Sequence, residues 1–272
     1  MQFFEYYEGD SIIHRINPAV KLVLIFILML AITFVYDPYT PFIFSVLAFL
    51  QITVLARIPF KQVIKMILPL LLILAGITIT SIISFNTGME EAPRILFTMG
   101  KIEISLNSIK FGLTIGLRIL CFLLYSLLFV ATTDPTDFII SLILQFKVSP
   151  RIGFGTLAGY RFVPLLSTEY QNIFEAHRVR GMEERTGAIA KIKRFKKFAV
   201  PLMVTATRKA QRVAIAMDSK CFYAYPRRTY LRDIRIRKAD VYYIIIFTSI
   251  CAIIFITLTW FGILNWGYRS LR

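Results

Sequence analysis

The chain has 272 residues, of which 57% are hydrophobic and 18% charged, with a formal charge of +16. Soluble domains are less apolar and more charged than this, so the composition points to a membrane protein. The positive surplus falls mainly in one segment, Thr132 to Asp240, with 21 Lys/Arg against 9 Asp/Glu. That segment has no aromatic platform or recognition motif for nucleic acid, and none is expected as a partner.

Taken in chain order, the first apolar run is Val20 to Tyr36, closed by Asp37-Pro38. The residues before it include Glu5, Glu8, Asp10, His14 and Arg15, so it is expected to stay as an anchor rather than be cleaved. A second run, Pro41 to Ala56, ends at Arg57-Ile-Pro59. Both are near the short limit for crossing about 30 Å of hydrocarbon. Ile64 to Phe85 is longer and contains Pro69 and Gly76, which membrane helices tolerate. Phe111 to Ala131 carries Arg118, a costly charge unless it snorkels or faces protein. Ser105, Asn107 and Ser108 fit a polar lead-in to it. Val241 to Leu264 is the last run, with Trp260 and Trp266 placed for an interface.

The expected fold is therefore an all-α polytopic membrane protein with about five transmembrane helices and long amphipathic helices outside them. Three regions follow: transmembrane helices over 1–131, an interfacial and cytoplasmic region over 132–240, and a transmembrane helix with its tail over 241–272. Arg15, Lys21, Arg57, Lys61 and Lys65 flank the first spans, which puts the N-terminus and the basic region in the cytoplasm and the C-terminus outside.

Within 132–240, Asp134-Pro-Thr-Asp137 has the cap chemistry of a helix start. The helix reaching Phe146 is too short to cross. Ile152 to Leu166, with Arg161 and Pro164, reads as an interfacial or protein-packed segment. From there Leu166, Tyr170, Ile173 and His177 share one face at helical spacing. Arg178 and Arg180 occupy the last turn, favourable for the helix dipole, and Gly181 suits the stop. Lys191-Ile-Lys-Arg-Phe-Lys-Lys197 fits anionic lipid headgroups, at about 1 kcal/mol per basic residue. A second long helix is predicted from Pro201, with Met203, Ala206, Ala210, Val213 and Met217 on one stripe, ending at Asp218-Ser219-Lys220-Cys221.

No catalytic residue, metal site or cofactor site is expected. His14 and His177 are far apart, the three cysteines have no ligand spacing, and no phosphate-cradling Gly-Lys-Ser/Thr loop is present. A stand-alone secondary transporter or channel is the alternative, for which Arg118 is the one candidate intramembrane charge.

Four stretches resemble one family: Thr132-Thr-Asp-Pro135, Tyr160-Arg-Phe-Val-Pro164, Glu175 to Gly181, and Ala214 to Phe222. The family is that of the transmembrane T-components of energy-coupling factor transporters, which includes the cobalt-uptake permease CbiQ. Its two short Ala-Arg-Gly signatures match Val179-Arg180-Gly181 and, within Ala216 to Phe222, Ser219-Lys220-Cys221. The second departs from the pattern: Lys lacks the planar fork of Arg, and Cys lacks the backbone freedom of Gly. The resemblance implies a non-catalytic scaffold at the cell membrane. Its implied partners are two cytoplasmic ABC ATPases and a substrate-binding membrane S-component for a vitamin or metal ion. It implies that Arg178, Arg180, Gly181, Asp218, Ser219 and Lys220 make the ATPase-coupling ends. Arg161, Pro164 and Glu175 would support the coupling region.

Overall fold

The computed structural model describes residues 9, 11–84, 95–99, 102–180, 188–222, 230, 232 and 234–262. Its helices are α1 (Pro18–Thr33), α2 (Tyr39–Leu50), α3 (Phe60–Ser84), α4 (Leu106–Thr132), α5 (Pro135–Gln145), α6 (Pro150–Val179), α7 (Ala188–Ser219) and α8 (Lys238–Trp260). A π-helical turn, Gln51–Leu55, extends α2. The chain divides into two units: residues 1–146 with 234–272, and residues 147–233.

Among the described residues three helices, α3, α4 and α8, are long and apolar enough to cross a membrane. The expectation of about five such spans is corrected here. The first two runs fold as shorter apolar helices, α1 with 16 residues and Tyr39–Leu55. Local chemistry sets the break between them. Asp37 is buried, and its carboxylate accepts the Thr40 N–H (2.8 Å) and hydroxyl, which starts α2 where α1 has stopped. Arg57, with φ 55°, ends the π turn just before Pro59. At 1.5 Å per residue, α1 reaches only about 24 Å.

Among the described residues the regular structure is helical apart from one hairpin. Where the sequence gives a loop from Asn86 to Lys110, strands β1 (Ile95–Met99) and β2 (Ile102–Ser105) pair antiparallel, Met99 opposite Ile102. Of the expected polar lead-in, Asn107 and Ser108 lie in the first turn of α4, whereas Ser105 ends strand β2 instead.

The core of the first unit is built where α1, α2 and α4 meet. Leu24, Leu28 and Ile32 pack with Phe44, Ala48 and Ile52 and with Cys121, Leu124, Tyr125 and Leu128, while Phe247 of α8 joins them. Phe247 meets Tyr125 edge to face at 6.4 Å, and Phe255 lies 5.4 Å from Phe44. Such aromatic pairs add about 0.5–1.5 kcal/mol each beyond area burial. Arg118 is engaged inside this unit: its guanidinium donates to the Val35 carbonyl just past the end of α1 and lies 5.3 Å from the Tyr36 ring centre, while its Nε is buried without a hydrogen-bond partner. It closes a helix end, which is how a charge at this depth is tolerated.

α3 leaves most of its surface exposed, with Leu72 79% exposed, as a lipid-facing helix does. It is joined to α4 through glycine. A Cβ at Gly112 would collide with Ile82 and lie 3.1 Å from the Ile82 nitrogen and the Thr78 carbonyl; one at Gly116 would collide with Thr78. The two backbones therefore touch, the packing that small residues permit in membranes.

In the second unit, α6 and α7 form an antiparallel pair. Phe198, about a third of the way along α7, is buried against Tyr170, Phe174 and His177 of late α6, at 5.6, 6.0 and 5.2 Å. Lys209 bonds Glu169 at 2.5 Å, and Phe222 after α7 meets Phe154 of early α6 edge to face at 5.2 Å. Both helices run longer than the sequence suggests. Pro201, taken there as a start, lies inside α7, and Ile152 to Leu166 with Pro164 joins the amphipathic run after it as one helix, α6. At 1.5 Å per residue these are rods of about 45 Å and 48 Å.

Candidate functional site

The two predicted helix ends are built differently. α6 closes on Arg180, whose N–H bonds the Ala176 carbonyl at 3.3 Å. Arg178 and Arg180 are exposed, and Val179 between them is 88% exposed. An apolar side chain so open, between two cations at a helix C-terminus, suits a partner that offers both apolar and acidic surface. Gly181 lies outside the described residues.

α7 closes in a Schellman arrangement. The Phe222 N–H bonds the Met217 carbonyl (3.0 Å), the Cys221 N–H bonds the Asp218 carbonyl (2.9 Å), and Cys221 adopts φ 54°. This pairing is the one in which glycine normally takes the left-handed position. Asp218, Ser219 and Lys220 are exposed, and the Ser219 hydroxyl donates back to the Ala216 carbonyl (3.0 Å). The Phe222 ring on Phe154 fixes the direction of the end, and Tyr230 stacks parallel to Phe154 at 6.3 Å between ring centres.

Cys221 therefore carries backbone strain of about 1–2 kcal/mol that glycine would not. Cys221→Gly is expected to stabilise this end by a net 0.5–1 kcal/mol or about that, after the added freedom of glycine in the unfolded chain. Amide hydrogen exchange at Phe222 should slow in the variant. Faster exchange there would contradict the assigned cap.

The antiparallel pairing does not bring Arg180 and Lys220 together. It puts them at opposite ends of the α6–α7 pair, because late α6 lies beside early α7 and early α6 beside the end of α7. The predicted face Leu166, Tyr170, Ile173 and His177 turns toward Phe198 through Tyr170 and His177. On the α7 stripe, Ala206, Val213 and Met217 are half-buried, while Met203 and Ala210 are exposed. Arg161, Pro164 and Glu175 are exposed on α6. Among the described residues no cluster of three metal-ligating side chains occurs.

Sequence reasoning missed a second polar feature, in the first unit. Lys21, Thr132, Asn17 and Asp240 are buried together and hydrogen-bonded. The available signal was a lysine and an aspartate at the margins of apolar runs, where ionisable groups are rare.

The fold and its two exposed basic helix ends define a multi-pass helical membrane protein that carries a long basic helix pair. The chain belongs to the cobalt transport protein family, CbiQ, whose model matches residues 9–231. It is 30% identical over 245 residues to the energy-coupling factor transporter transmembrane protein EcfT of Acidaminococcus fermentans, covering 87% of this chain and 88% of that one. The EcfT of Thermosediminibacter oceani is 27% identical over 245 residues (87% and 90% covered), and that of Clostridium kluyveri 24% over 272 (97% of each).

Proposed function

We infer that the chain is the membrane T-component of an energy-coupling factor importer, a non-catalytic subunit that couples ATP hydrolysis by its ATPases to uptake through an S-component. The observation that carries the coupling role is the pair of exposed basic ends on one antiparallel helix hairpin. Arg180 and Lys220 stand in register with the two family signatures, at opposite ends of rods of about 45 Å. Two separated contacts suit two cytoplasmic ATPases whose mutual distance changes with nucleotide.

In this reading Arg178, Arg180 and Gly181 meet one ATPase, and Asp218, Ser219 and Lys220 the other. Arg161, Pro164 and Glu175 support the rods, and residues 132–240 form the coupling region. The short helices α1 and Tyr39–Leu55 lie in the bilayer as a hairpin between the N-terminal flank and the loop at Arg57. The N-terminus and the coupling region face the cytoplasm, with the 191–197 run against anionic headgroups. The cargo is a vitamin or a metal ion bound by the S-component.

Native co-purification tests this. Two ATPase subunits and a small membrane protein are expected with the chain. A solitary chain that transports on its own would replace the proposal with a secondary transporter, a reading weakened by the engagement of Arg118 at the end of α1.

A further inference from the structure

One buried polar cluster joins three places that are far apart in sequence. The Lys21 ammonium donates to the Thr132 carbonyl (2.9 Å) and the Thr132 hydroxyl (3.3 Å). One turn earlier, the Asn17 N–H donates to Oδ1 of Asp240 (2.9 Å), whose Oδ2 accepts the Arg237 N–H (2.7 Å). Lys21 and Asp240 are each 2% exposed, and Thr132 is 1% exposed.

Position gives the cluster its meaning. Thr132 is the last residue of α4, where the chain sets out toward α6 and α7; Asp240 lies in the first turn of α8, where it has returned. Both stems are fastened to the first turn of α1. Apolar helix contacts are non-directional and permit sliding, whereas a buried, hydrogen-bonded charge fixes one register. An ammonium and a carboxylate are too costly to bury without such partners.

We propose that Lys21 and Asp240 are positioning residues that clamp both stems of the coupling region to α1, so that displacement of the coupling helices is delivered to the transmembrane helices. The proposal rests on the T-component reading. In it the stems cannot stretch or slip separately, because each is pinned to the same turn.

The test uses the whole complex, with ATPases and S-component, reconstituted in liposomes. The variants are Lys21→Met, Asp240→Asn, both together, and Lys21→Arg. Uptake and ATP hydrolysis are read on the same vesicles. If the wild-type complex neither assembles nor transports, the T-component reading falls and the clamp with it. With a coupled wild type, the variants should assemble and hydrolyse ATP while uptake per ATP drops about tenfold or more. Lys21→Arg, which keeps the charge and a donor, should retain more coupling than Lys21→Met. The double variant leaves no uncompensated buried charge, so complex yield should recover relative to the single variants while the uptake ratio stays low. Wild-type uptake per ATP in an assembled Lys21→Met or Asp240→Asn complex would overturn the proposal. Loss of the assembled complex in every variant would do so too, because the cluster would then be a folding element alone.

Discussion

Arg180→Glu is expected to abolish ATP-driven uptake while leaving membrane insertion intact. The local cost is small: a carboxylate at a helix C-terminus is unfavourable by about 0.3–1 kcal/mol. The α6–α7 pairing does not depend on this residue, since Phe198 holds it through Tyr170, Phe174 and His177. The interface cost is larger. Against the acidic ATPase groove that the family resemblance implies, attraction becomes repulsion, a change of about 2–5 kcal/mol or 30- to several-thousand-fold in affinity. ATPase co-purification and uptake in proteoliposomes are the measurements. Wild-type values for both would remove Arg180 from the coupling contact.

Gly112→Leu should separate α3 from α4 and sharply lower the yield of folded protein. Even the first added carbon meets the α3 backbone at 3.1 Å, and backbone does not rotate aside. Overpacking of a close core contact costs about 1–3 kcal/mol, and more where no rotamer relieves it. Gly76→Ala in α3 is the control, because nothing lies within 4 Å of a Cβ there. It should be neutral or improve thermal stability in detergent by up to about 1 kcal/mol through helix propensity. Equal behaviour of the two variants would refute the backbone contact.

Much of this was legible where chemistry is local. Asp134 does cap α5, accepting the Thr136 N–H at 2.8 Å, with Pro135 in the first turn as its sequence predicts. The apolar runs at α3, α4 and α8 fall within a few residues of their expected bounds. The lengths of α6 and α7 were not legible: the change from an apolar to an amphipathic pattern at Leu166 reads as two segments, and Pro201 reads as a start although a helix can absorb a proline at the loss of one hydrogen bond. The hairpin of β1 and β2 sits in a segment whose mixed charges give no clear period. The clamp was hidden for another reason: Lys21 and Thr132 are 111 residues apart, and Asn17 and Asp240 are 223 apart. Neither end of such a pair announces the other. The strain at Cys221 was half visible, since the missing glycine could be noted but the left-handed backbone needed the structure.

The two interior prolines bear on how the long helices move. Pro164 removes the bond to the Tyr160 carbonyl and Pro201 the bond to the Lys197 carbonyl, each close to the middle of its helix. A proline is where a helix kinks. In the T-component reading the pair becomes two levers, each with a compliant joint at mid-length, where load entering at Arg180 or Lys220 bends the helix at Pro164 or Pro201.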